Sequence, residues 1–510
     1  MRTQSLTYDE PLHVIAGADA WHGRFERWND HPPLGRMLLT VLLARTPITF
    51  TEEVNNHELR FTAMQPAPEW LGWRARPMNL ILGLLLGLTL WFAARRIFSE
   101  GAANVALALF AFTPALIANF SVATTDGIGA LFIFMVAIQL VRWRHRPTTA
   151  NTILMGLALA GLLLSKFYAP PLVVLALVLM LVLDPGGRRL LARKPNWRPT
   201  LGALAIAIFL VWAGYFFHVS HLKVGNGQVV VTYPNRPVKI YETHTNLDLS
   251  VYVPAGEFIE GLRAVIRNNH SGRPAWFLGQ IYPNGGSKLY YPVTILLKWP
   301  VVLLLFVLLS LVLGVRRASR DSGDLVLLLT FPLLYFAFAL TSTYNIGERH
   351  ILPLYPFALL IAGGVWERLR RSRTAQIVVL VALCLNAADV LRSAPDYLSY
   401  FNITVKPEES WQLLTDSNLD WGQGLIALRN YERQHPNEEL HLAYFGTIDP
   451  ALYGVRATPL NPGDEPTGTI AIGGTMLSGQ TLSDPGAYHW LWTYPPKRLI
   501  DRSMWMYDIK

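Results

Sequence analysis

Residues 78–96 read MNLILGLLLGLTLWFAARR, an apolar run of membrane-crossing length closed by two arginines. Comparable runs follow at 102–118, 128–141, 152–164 and 171–183, and then at 201–217, 293–315, 325–340, 351–366 and 375–390. That makes about ten segments able to span a bilayer or nearly so. Several are short taken singly, but the hinges between them carry an independent signal, because loops on the cytoplasmic side gather Lys and Arg. Arg95 and Arg96 open one set of basic hinges, continued by Arg142, Arg144 and Arg146, by Arg188, Arg189, Arg193, Lys194 and Arg198, by Arg316, Arg317 and Arg320, and by Arg368, Arg370, Arg371 and Arg373. The alternate hinges, 119–125, 165–169 and 342–350, hold only Lys166 and Arg349 as fixed cations. Read as topology, the N-terminal segment, the polar loop 218–290 and the tail from 392 all face the non-cytoplasmic side.

The composition agrees. Of the 510 residues, 52% are hydrophobic, and the mean hydropathy is +0.28. A formal net charge of +9 in a soluble chain would suggest nucleic acid, but here the cations sit at membrane hinges and report orientation instead. The single cysteine, Cys384, lies in an apolar run, so neither an intrachain disulfide nor a cysteine metal site is available. The apolar stretch 38–44 is too short to span, and counting it as a crossing would invert every later hinge; it is expected to lie along the interface. The expected fold is an all-α polytopic membrane domain with juxtamembrane helices and a small α/β extracytoplasmic C-terminal domain. Its parts are an outer segment 1–73, a multi-helix domain 74–391 and a C-terminal domain 392–510. In the last, a helical pattern covers 424–433 and strand-like runs cover 440–445 and 469–472.

Chemistry-bearing residues cluster on the face expected to be outer. Asp9 and Glu10 precede Pro11 and His13, and His31 precedes Pro32 and Pro33. A helix cap and an extended entry to the next helix explain them blandly. Paired carboxylates with a histidine one turn on also make a base or a metal site, so a divalent cation held by Asp9, Glu10, His13 and Asp126 stays open without a defined ligand motif. Asp126 stands where the chain re-enters the membrane, either capping the next helix or acting as an interfacial acid. Lys166 can snorkel to lipid head groups or serve a site. Arg349, beside Glu348 and near Tyr344, favours function. Acids and cations on one face suit a deprotonated hydroxyl attacking a carbon whose leaving group is a phosphate.

The ordered set of an outer Asp-Glu pair, a His-Pro-Pro-Leu at 31–34, a Thr-Asp at 125–126 and a Gly-x-Arg-x-x-Leu-Pro-x-Tyr-Pro at 347–356 resembles the GT-C glycosyltransferases. Within them it resembles the polyprenyl-phosphate-dependent branch of protein O-mannosyltransferases and lipid A aminoarabinose transferases. Segments 285–292, 297–300 and 416–423 extend the likeness over nearly the whole chain. The resemblance implies transfer of a monosaccharide from a polyprenyl-phosphate donor to a hydroxyl of an envelope protein, lipid or glycan, with inversion, at the outer face of a bacterial inner membrane. It implies Asp9 as general base, Glu10 and Asp126 as shapers of its pocket, and His31, Arg349 and Lys166 as donor-phosphate contacts; His13, Tyr344 and Glu348 complete the candidate pocket. Relatives carry a transmembrane helix ahead of the Asp-Glu pair, whereas eight residues precede Asp9 here, so either the true start lies upstream, the preferred expectation, or the short N-terminus is translocated on its own, which Arg2, Arg24 and Arg27 would not help. Two other classes compete. A transporter or flippase would place polar residues deep in paired repeats, and a non-catalytic scaffold would bind envelope partners without turnover.

Overall fold

A computed structural model describes residues 3–55, 58–184, 191–192, 194–234, 239–242, 248–314 and 321–510. The hinge arginines Arg188, Arg189, Arg193, Arg316, Arg317 and Arg320 lie outside the described residues. Each apolar segment of the sequence is helical, but they are not equal. Among the described residues six helices are long and apolar enough to cross a membrane: Pro68–Ile97, Asp126–His145, Trp197–Gly214, Ser322–Thr341, Glu348–Leu369 and Arg373–Leu391. Two expected spans are bent pairs, Glu100–Ala111 with Pro114–Ser121 at 61° and Tyr290–Lys298 with Val301–Val312 at 112°. Pro114 and Pro300 stand at these breaks, as a residue without an N–H donor dictates. Thr149–Leu163 and Ala169–Val182 are shorter apolar helices, so length supports six crossings, or eight with each bent pair counted once.

The helix faces show why a bilayer is the solvent. On Pro68–Ile97, Leu82, Leu86 and Leu90 are buried while Leu84, Leu85 and Leu88 are exposed. On Arg373–Leu391, Ile377, Val378, Leu380, Val381 and Leu385 are all exposed. Apolar surface on this scale is stable only against lipid. The interface reading of 38–44 meets a seven-residue helix, Pro33–Leu39, followed by a single 3-10 turn at Val41–Leu43, with no spanning element there.

The chain divides into two compact units. The first comprises Met1–Val14, Thr46–Leu131 and Ser271–Lys510. It contains the tail, whose five-stranded sheet runs in the order Thr458–Pro459, Leu440–Ala443, Gly468–Gly473, Met504–Ile509, Arg498–Ile500. Its central strand Gly468–Gly473 pairs parallel with Leu440–Ala443 and antiparallel with Met504–Ile509, and is buried along nearly its whole length, as a strand covered on both faces must be. The expected helix of the tail is Leu425–Gln434. A hairpin, Thr49–Asn55 with Glu58–Gln65, also belongs to this unit and joins the tail where the Phe61 amide donates to Thr447 O at 2.7 Å and the Asp449 amide to Phe61 O at 3.0 Å.

The second unit comprises Ile15–Arg45 and Phe132–His270. Its polar loop folds into a four-stranded antiparallel sheet, in the order Lys239–Glu242, Gln228–Thr232, Val219–Gly225, Leu249–Pro254, followed by the helix Gly256–Ser271.

Within the first unit the tail is bolted to the helices by a buried amine. Lys298 donates to Leu398 O at 3.0 Å and Asn418 O at 2.6 Å, lies 3.9 Å from Glu348 and sits 4.7 Å over the Phe401 ring. Replacing Lys298 by Met strands two carbonyls and a buried carboxylate, so it should cost about 3 kcal/mol of stability. Thermal unfolding in detergent reads this, and an unchanged midpoint would contradict the anchor.

Candidate active site

The site grows from a buried ion pair. Arg76, on Pro68–Ile97, meets Glu10 through two parallel hydrogen bonds, Nε to Oε1 and Nη2 to Oε2, each 2.8 Å, with both side chains almost wholly buried. The same guanidinium donates to Gln4 O at 3.0 Å and Ser5 O at 2.8 Å. Glu10 also accepts from the Thr7 amide at 2.8 Å and the Ala123 amide at 2.6 Å. Burial alone would raise the Glu10 carboxyl, but the Arg76 charge and these four donors hold it below its ordinary value. Glu10 is therefore spent on structure, and it takes the helix-start role that the sequence offered to Asp9.

Freed from capping, Asp9 turns to Arg349. The Arg349 Nη1 donates to Asp9 Oδ2 at 2.6 Å and lies 3.7 Å from Asp126 Oδ2. Its Nε donates to Ser417 Oγ at 3.1 Å, and its guanidinium carbon stands 4.2 Å over the Trp421 ring. One Arg is thus shared by two carboxylates and bedded on a tail aromatic, a geometry that only a planar, forked cation can satisfy. Gly347 is needed for the approach, since a Cβ there would fall 1.9 Å from Ser417 Oγ.

The hinge carrying Asp126 is set by Asn79, fully buried, whose amide donates to Asn119 O at 2.9 Å, Val122 O at 2.6 Å and Thr124 O at 3.2 Å. The segment carrying Asp9 is laid against the tail. The Ser5 amide donates to Gln423 O at 3.0 Å and the Tyr8 amide to Trp421 O at 2.8 Å, while Thr447 Oγ1 donates to Tyr8 O at 2.8 Å.

The remaining candidates are distributed as follows. Glu348 faces away from Asp9, accepting from the Tyr355 hydroxyl, while its own amide donates to Asn418 Oδ1 at 2.9 Å. Tyr344 lies beneath Arg273, whose guanidinium carbon is 5.6 Å from the ring centroid, and Arg273 interacts electrostatically with Asp416 and Asp9. His13 is buried one turn along the helix from Asp9. His31 and Lys166 belong to the second unit, where His31 Nδ1 is 3.1 Å from Asp30 Oδ1, an oxygen that also takes Arg36 Nη2 at 2.8 Å. Burial, and after it the Lys166 charge, pushes the His31 imidazole below its ordinary value, so it is neutral at pH 7.

Sequence reasoning missed Arg76, Asn79, Arg273, Asp416, Ser417 and Trp421 as site residues. A signal existed for Arg76, an arginine two residues before an apolar run, which demands a partner at that depth. For 416–423 the resemblance marked the segment without assigning a role.

That tail segment carries two buried acids. Burial pushes Asp416 up to about 6, against the opposing pull of Arg349, and Asp420 up to about 7, although it accepts from the Thr475 amide at 3.2 Å and the Gly422 amide at 3.3 Å. Both carboxyls keep their protons in the folded chain to a higher pH than in the unfolded one. Their contribution to stability is thus greatest near pH 4 and is lost as pH rises through about 6 to 7. Asp420→Asn should flatten that decline between pH 4.5 and pH 8 in thermal melts, and a slope equal to wild type would refute the assignment. Separately, Arg76→Met leaves Glu10 buried and unpaired, and should cost about 3–5 kcal/mol. Hydrogen exchange of residues 4–10 would show that segment released, and protection at the wild-type level would count against the anchor.

Residues 69–215 match the family described as dolichyl-phosphate-mannose-protein mannosyltransferase. The crystal structure of ArnT from Cupriavidus metallidurans bound to undecaprenyl phosphate is similar with a TM-score of 0.50 at 12% identity, over 99% of this chain and 94% of that one. The apo structure of the same protein gives a TM-score of 0.46 at 12% identity over the same shares. No curated protein matches the sequence. The resemblance to the GT-C glycosyltransferases therefore stands, by sequence over 69–215 and by fold over essentially the whole chain, and the protein is an integral membrane protein.

Proposed function

We propose that the protein is a glycosyltransferase of a bacterial inner membrane, moving a monosaccharide from a polyprenyl-phosphate donor to a hydroxyl acceptor on the extracytoplasmic side, with inversion. The observation that carries this reading is Arg349 buried against both Asp9 and Asp126. In the proposed step the acceptor oxygen bonds to the anomeric carbon as the bond from that carbon to the phosphate oxygen breaks. The acceptor proton passes to Asp9, and polyprenyl phosphate leaves with the electron pair on its oxygen. Arg349 meets that developing charge with a fork of donors, as preorganised electrostatics requires. Asp126 orients the guanidinium, and Arg273 adds a second cation near Asp9.

The two roles are coupled. Asp9 Oδ2 accepts from Arg349 Nη1. A phosphate that takes the guanidinium releases this oxygen to receive the acceptor proton, so the base is freed only when a leaving group is in place. For His31 and Lys166 the proposed role is contact with the donor phosphate, with the lysine supplying the charge. The lipid-phosphate carrier is supported by the undecaprenyl phosphate of the ArnT structure, and sugar transfer by the mannosyltransferase match.

In membranes supplied with a polyprenyl-phosphate sugar, Asp9→Asn should lower turnover by about 10²–10⁴-fold. Arg349→Lys keeps the charge but loses the fork, and should weaken both donor KM and kcat. Wild-type turnover in the Asp9 variant would remove Asp9 as the base.

A further inference from the structure

Within the second unit, the turn from Glu26 to Asp30 and the helix Gly256–Ser271 enclose an open cavity of about 450 Å³. That size lies within the roughly 300–1,000 Å³ of small-ligand pockets. The helix contributes Glu260, Arg263, Ala264, Arg267 and Asn268, positions spaced three and four apart and hence on one face. Ala264 sits at the middle of that stripe, and its short side chain makes the concavity between two arginines. The turn contributes Trp28 with Glu26, Asn29 and Asp30.

The turn is built to hold Trp28 in place. Its φ of +47° is in the left-handed region that a bulky residue avoids. The buried guanidinium of Arg36 donates to Trp28 O at 2.6 Å, and the Asp30 amide donates to the same oxygen at 2.7 Å. Asn29 Nδ2 donates to Glu257 O at 2.8 Å, and the turn reaches the helix at Gly261, where a Cβ would stand 2.7 Å from Asn29 O. On the opposite wall the Tyr233 hydroxyl donates to Glu260 Oε2 and fixes that carboxylate. Backbone held in this region by its surroundings occurs at ligand clamps.

The lining selects the ligand. An anion would face Glu26, Asp30 and Glu260, and a cation would face Arg263 and Arg267. A neutral polyol uses both sets, accepting from guanidiniums and donating to carboxylates, while a pyranose presents an apolar C–H face suited to an indole. We propose that this cavity binds a carbohydrate, its C–H face on Trp28 and its hydroxyls shared between Glu260 and the arginines 263 and 267.

The test uses the full chain in lipid nanodiscs, free of sugar-based detergent, with methyl glycosides of glucose, galactose, mannose and N-acetylglucosamine as probes in saturation-transfer NMR. Binding of undecaprenyl phosphate is measured in the same preparation. At least one glycoside should bind saturably, about 10-fold more weakly after Trp28→Ala and within about 3-fold of wild type after Trp28→Phe. Glu260→Gln should also weaken it by about 5-fold without altering undecaprenyl phosphate binding. The carbohydrate site is overturned if none of the four glycosides binds, or if binding survives both Trp28→Ala and Glu260→Gln unchanged. Glycoside binding without undecaprenyl phosphate binding would keep the sugar site and sink the donor reading, and the converse would do the reverse.

Discussion

A charge buried at the head of an apolar helix must be neutralised where it lies, and Arg76 is neutralised by Glu10. The pair does more than cancel charge. Because the same guanidinium holds the Gln4 and Ser5 carbonyls, and the same carboxylate takes the Thr7 and Ala123 amides, two chain segments far apart in sequence are fixed by one contact. Asp9 is adjacent to Glu10, so its position follows from that contact. An ion pair of this kind contributes little net stability after desolvation, but either member alone would be strongly unfavourable, which makes the arrangement specific.

From Asp9 the dependence passes to Arg349 and then to the tail. Arg349 is bracketed by Asp9 and Asp126 on one side and by Ser417 and Trp421 on another. The tail is consequently part of the site. It supplies the aromatic bed of the guanidinium, pairs backbone to backbone with Ser5 and Tyr8, and is itself held to the helices by Lys298. A chain that places this carboxylate and this cation on segments about 340 residues apart needs such a third element to bring them to hydrogen-bonding distance.

Neighbouring acids in the sequence illustrate how tertiary context divides roles. Asp9 and Glu10 differ by one methylene, yet Glu10 points to Arg76 and Asp9 to Arg349, because successive residues at a helix start project in different directions. Glu348 and Arg349 divide in the same way, the glutamate to Tyr355 and Lys298, the arginine to Asp9. Each pair of neighbouring candidates in sequence is divided by the fold between two separate sets of contacts.

Hydropathy alone located each apolar helix, since a long apolar run has no other stable environment, and the tail's helix and two of its five strands, Leu440–Ala443 and Gly468–Gly473, followed from their periodicity. Charge at the outer hinges, and then motif order, brought Asp9, Asp126 and Arg349 forward as candidates. Hydropathy could not tell a straight span from a bent pair, because the bend of 112° between Tyr290–Lys298 and Val301–Val312 depends on packing around one proline. Nor could a sequence show that Glu10 is consumed by Arg76, or that Trp421 lies under Arg349. Those facts are contacts between residues distant along the chain, and their energies exist only once the fold has brought the partners together. Local patterning thus determined which segments are helices and which residues deserve scrutiny, whereas long-range burial and charge pairing decided which of those residues face one another.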